Sequence, residues 1–150
     1  MKKYPFLLVG VLCACSSDES TLDNTAPTIV VEGTFPQPCE VLERGNTHNF
    51  VLKFSDNLEL GSFTVDIHHN FDQHSHGTSA EECEEDEPKQ ATKPFLLVHS
   101  DKIPAGNKSY TATVPVNIPN DVDPGDYHLK VDVTDKTGWQ SQRRMSIKLK

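Results

Sequence analysis

Apolar and polar residues alternate in short runs along most of the chain. Phe50, Leu52 and Phe54 alternate with Asn49, Lys53 and Ser55, and Phe63, Val65 and Ile67 with Thr64, Asp66 and His68. The same period returns in Tyr110, Ala112, Val114, Val116 and Ile118, and again in Tyr127, Leu129, Val131 and Val133. Trp139, Met145, Ile147 and Leu149 share one parity against Gln140, Gln142, Arg144 and Lys148. Successive side chains of an extended chain point to opposite faces, so each run predicts a strand with one buried face. Further strands near Thr28 to Glu32, Cys39 to Glu43 and Phe95 to His99 bring the expected total to about seven or eight.

Turn chemistry separates the runs. Pro104 to Asn107, Asp123-Pro124-Gly125 and Lys136-Thr137-Gly138 supply residues that preset or tolerate turn dihedrals. No segment sustains a helical period. The pattern predicts an all-β fold, an antiparallel sandwich of two sheets. Trp139, the single tryptophan, falls on the apolar parity and is expected in the core.

The N-terminus changes the picture from a bare domain to an exported one. Lys2 and Lys3 precede an apolar stretch from Phe6 to Leu12, too short to span a bilayer and suited to a signal peptide. Leu12-Cys13-Ala14-Cys15 resembles the bacterial lipobox, and that resemblance implies cleavage after residue 14 and acylation of Cys15. The chain then divides into a signal peptide (1–14), a lipidated polar tether (15–27) and one β-sandwich domain (28–150). Ser16 does not look like the aspartate that retains lipoproteins in the inner membrane. Asp18 and Glu19 resemble surface-export tags, so the expected address is the outer membrane, facing the cell surface or the periplasm.

After export, Cys39 and Cys83 are the cysteines left. In an oxidising compartment they suggest one disulfide, with soft metal ligation as the competing use. Loss of residues 1–14 removes Lys2 and Lys3, so 12 basic residues face 22 acidic ones and the net charge is −10. That balance argues against nucleic acid and against electrostatic adhesion to anionic lipid, leaving the lipid itself as the membrane contact.

Asp123-Pro124-Gly125-Asp126-Tyr127, followed by Val131 to Trp139 (VDVTDKTGW), resembles the last hairpin of bacterial immunoglobulin-like domains. Asp23 to Ile29 (DNTAPTI) is similar to the lead into their first strand. FSDNLELGSFTVDIHHNFDQHSHG resembles a family of uncharacterised immunoglobulin-like lipoproteins of Bacteroidota. The resemblance implies the immunoglobulin-like architecture and the envelope address, and no activity.

The candidate chemistry is concentrated in HHNFDQHSHG, which holds His68, His69, His74 and His76, four of the seven histidines, with Asp72. By parity His69 belongs with the buried face and His68 with the opposite one. His68, Asp72, His74 and His76 are therefore the candidate metal ligands, and imidazole with carboxylate favours Zn2+, Cu2+ or Ni2+. The competing reading is a solvated hairpin end. His99 and His128 lie on other predicted strands, and nothing in the sequence places them beside the loop. The acidic run Glu81 to Glu87 reads as an exposed loop held only by Cys83. Asp56, Asp132 and Asp135 resemble the carboxylates that cadherin-type sandwiches use between domains; ordered calcium is the competing use, but for one domain they read as solvated turn residues.

No Gly-x-Ser-x-Gly elbow, HExxH helix or phosphate-binding glycine loop is present, so a binding module is expected rather than an enzyme. The alternatives are an accessory or adhesion domain contacting a protein or glycan partner, and a small metallo-hydrolase.

Overall fold

The computed structural model describes residues 22–74 and 83–150. The expected signal peptide, Cys15, most of the tether and His76 lie outside those residues. Eight strands follow in order: β1 (Thr28–Phe35), β2 (Val41–Leu42), β3 (Thr47–Ser55), β4 (Leu60–His69), β5 (Leu97–Lys102), β6 (Ser109–Asn117), β7 (Gly125–Asp135) and β8 (Gln140–Leu149). They form two sheets, β1-β3-β6 and β2-β8-β7-β4-β5. The pairings are antiparallel except that of the short β2, which runs parallel to β8. This is the expected immunoglobulin-like sandwich.

Alternation explains the layering. Phe50 and Phe54 of β3, Val65 and Ile67 of β4, Val116 of β6, Leu129 and Val133 of β7, and Ile147 and Leu149 of β8 are all sealed between the sheets. Burying a side chain of this size is worth about 1.5–3 kcal/mol relative to leaving it exposed. β7 sits inside its sheet, paired with β4 on one side and β8 on the other, and its inward residues are among the most buried.

Two local devices set the ends of β7. At its start Tyr127 is fully buried; its hydroxyl donates to the Asp123 carbonyl at 2.7 Å and accepts the Phe95 N–H at 3.1 Å. This is the tyrosine corner of immunoglobulin-like sandwiches, which ties the strand to the loop before it. At its end the β4–β7 register shifts between Leu60 and Ser62. Gly61 permits that close approach, because a Cβ there would lie 2.7 Å from the Asp135 carbonyl oxygen.

Three expectations change. Trp139 is 49% exposed, not in the core. It precedes β8, so strand parity does not reach it; its indole N–H instead donates to the Asp23 carbonyl at 3.1 Å. The acidic segment is held by more than Cys83. The Asp86 N–H donates to Asp126 Oδ2 at 2.6 Å, Lys148 Nζ pairs with Asp86 at 2.7 Å, and the Lys89 N–H reaches the Phe71 carbonyl at 2.9 Å. Asp135, read as a solvated turn residue, is buried because the turn it caps folds over it.

Cys39 and Cys83 form a disulfide across 44 positions, which withdraws both thiols from metal ligation. In the chain-entropy picture a loop of that length stabilises the fold by about 4 kcal/mol.

Burial pushes the Tyr127 phenol above its ordinary value, and the hydrogen bond to Asp86 raises Lys148. Both groups hold their protons more firmly folded than unfolded. Their contribution is fully present below the unfolded values, about 10 to 10.4, and is lost as pH rises through the folded values. Tyr127→Phe leaves the Phe95 N–H without its acceptor. It should lower urea-unfolding stability by about 1–3 kcal/mol at neutral pH and flatten the decline above pH ~10. Gly61→Ala should cost a similar ~1–3 kcal/mol through backbone overpacking, read from the same urea midpoint.

Candidate metal centre

The antiparallel register of β4 and β7 sets Asp66 opposite Lys130 and His68 opposite His128. Val65, Ile67, Leu129 and Val131 point inward, so all four of those polar residues share the outer face of the five-stranded sheet. β8 extends the two rows, with Ser146 beside His128 and Arg144 beside Lys130.

The chain then returns over this face. The Asn70 N–H donates to the Asp126 carbonyl at 2.8 Å, and the Gln73 N–H donates back to the Asn70 carbonyl at 3.1 Å. Gln73 takes a left-handed φ of 54°, which completes the reversal. His74 is thereby laid on the two strand histidines. Ring centroids are 5.9 Å apart for His68–His74, 5.5 Å for His68–His128 and 5.3 Å for His74–His128. His74 covers His128, which is buried although it lies on the outer face.

Each imidazole has one nitrogen anchored by an oxygen. His68 Nδ1 donates to Asp66 Oδ1 at 2.7 Å, and His74 Nδ1 donates to Asp72 Oδ1. His128 Nε2 donates to the His74 carbonyl at 3.3 Å. A nitrogen that donates fixes the tautomer and leaves the other ring nitrogen as a lone-pair donor. In a neutral ring ligation would then fall to Nε2 of His68 and His74 and to Nδ1 of His128. Carboxylates and carbonyls on the distal nitrogen are the usual support of metal-binding histidines. The hydrogen bond from His74 also holds the Asp72 carboxyl below its ordinary value.

For three imidazoles about 2 Å from one tetrahedral ion, ring centroids fall about 5 Å apart. The observed separations are slightly larger, and His68 and His74 lie nearly parallel, 17° between planes. Ring rotation about χ2 is what closing on an ion requires of that pair. Among the described residues, the set of three donors already within 4.8 Å of one another is a different one, Asp23, Asp56 and Asp135.

The expected ligands are thus redistributed. His68 and His74 lie side by side, Asp72 accepts a hydrogen bond from His74, and His76 lies outside the described residues. His69 takes the packing role, its ring 4.9 Å from Phe71, which in turn packs on Tyr127 at 5.2 Å. His99 sits beside Phe63 on β5, away from the cluster. His128, a candidate contributor that the sequence alone could not place, is brought beside His68 by the β4–β7 register. Lys130 and Arg144 flank the histidines, and Lys130 is neutralised by Asp132 at 3.1 Å.

The comparison with curated proteins gives no match. A family model described as a domain of unknown function (DUF4625) matches residues 13–150, nearly the whole sequence, and the chain belongs to that family.

Proposed function

We propose that this protein is a lipid-anchored envelope module that captures a divalent transition metal, Zn2+, Cu2+ or Ni2+, through His68, His74 and His128. The observation that carries the reading is the convergence of three imidazoles from β4, β7 and the returning loop, each with its second nitrogen held by an oxygen. Imidazole donors without thiolate suit these ions better than Cu(I). His76, two residues beyond His74, is the sequence candidate for a fourth ligand. The lipobox at Cys15 supports an acyl anchor and an outer-membrane address, with residues after it as the spacer. Binding, rather than catalysis, is the role we assign.

A second reading, an accessory domain that pairs with a partner protein, draws on the edge strand β5. There Val98 is exposed, as is Leu96 just before the strand, and β5 has one neighbour in its sheet.

Calorimetric titration of tag-free protein with Zn2+, Cu2+ and Ni2+ separates the readings. The metal reading predicts one site per chain, weakened about tenfold or more by His68→Ala or His128→Ala. Protons compete with metal for imidazole, so affinity should fall on acidification. Absence of metal-dependent heat at micromolar protein contradicts it.

A further inference from the structure

The opposite end of the sandwich carries an all-oxygen cluster. Asp23 comes from the lead into β1, Asp56 follows β3, and Asp135 ends β7. One carboxylate oxygen from each lies within 4.8 Å of the other two. Asp23 and Asp135 are buried, Asp135 to 4% exposure.

Backbone donors hold one side of two of these carboxylates. Asp56 Oδ2 accepts the Leu58 and Glu59 N–H groups, both at 2.8 Å. Asp135 Oδ1 accepts those of Thr137, Gly138 and Trp139 at 2.8, 2.6 and 2.9 Å. Their remaining oxygens, Asp56 Oδ1 and Asp135 Oδ2, are sealed from solvent with no hydrogen-bond partner among the described residues. Asp23 is held by Asn57 Nδ2 at 3.1 Å and Thr137 Oγ1 at 3.5 Å. No Lys, Arg or His forms an ion pair with any of the three among the described residues; the neighbouring Lys136 lies 3.8 Å from Glu59 instead.

Carboxylates crowded together in a sheltered site repel, and a buried charged oxygen without a partner is unfavourable. A cation relieves both. Oxygens up to 4.8 Å apart can share one ion at the 2.3–2.6 Å typical of calcium, since that span equals two such bonds across the ion. The donor set contains no nitrogen or sulfur, which favours a hard cation over zinc or copper. Magnesium requires a near-octahedral shell and retains its waters, whereas calcium accepts irregular oxygen cages.

We propose that Asp23, Asp56 and Asp135 form a calcium site that staples the N-terminal lead to the pole of the sandwich. Eight residue steps along β4 separate Leu60, opposite Asp135, from His68, a span of about 26 Å, so this site is independent of the histidines. Calcium therefore fixes how the domain sits on the segment leading to its N-terminus. Trp139, donating to the Asp23 carbonyl, covers the same junction.

The test uses the full chain, stripped with chelator and titrated with CaCl2 by calorimetry and thermal melting. One calcium should bind per chain, and about 1 mM Ca2+ should raise the melting temperature by several degrees. Magnesium at the same concentration should give a smaller shift. Asp23→Asn, which leaves the Asp135 turn intact, should weaken calcium about tenfold or more. His68→Ala should leave it unchanged. No heat and no thermal shift up to about 10 mM Ca2+ overturns the site. So does an unaltered calcium response in a folded Asp23→Asn variant, which would place the ion elsewhere, or an equal response to magnesium.

Discussion

The pairing of β4 with β7 is the constraint on which the molecule's chemistry depends. One register sets His68 against His128 at one end and brings Leu60 against Asp135 at the other. Because side chains alternate with period two, a slip of one residue would set His68 against Tyr127 or Leu129, so one strand would turn its histidine inward and its apolar residues outward. The register is therefore held by the whole apolar interior, not by the polar residues that it positions. The tyrosine corner and the glycine-permitted approach at Gly61 secure the two ends of β7.

The two poles then differ in donor chemistry. The histidine pole offers nitrogen donors with carboxylates set behind two of them, on a surface that Lys130 and Arg144 also line. The aspartate pole offers oxygen alone, with backbone N–H groups fixing two of the carboxylates. Soft and hard cations are sorted by such differences more than by affinity alone. The disulfide contributes by closing Cys39 and Cys83 to metals and by pinning the far end of the segment that follows His74.

Alternation alone makes the sandwich legible: each predicted strand is present, because a buried face leaves a period-two trace in local sequence. Contacts between distant strands leave no such trace. His128 sits in an ordinary strand run, and only its register with His68, 60 positions earlier, makes it a candidate. Asp23 looked like tether because linker composition is local, whereas its burial depends on Asn57, Thr137 and Trp139 from elsewhere in the chain. Trp139 shows the converse limit, since parity carries meaning only inside a strand, and the Asp135 turn lies before β8 begins.

Histidine resonances observed by NMR during zinc titration test the central claim most directly. The His68, His74 and His128 imidazole signals should move together and saturate at one equivalent, while His48, bonded to the Glu43 carbonyl, and His99, beside Phe63, stay in place. Uniform drift of every histidine, or movement of His74 without His128, would contradict a shared centre.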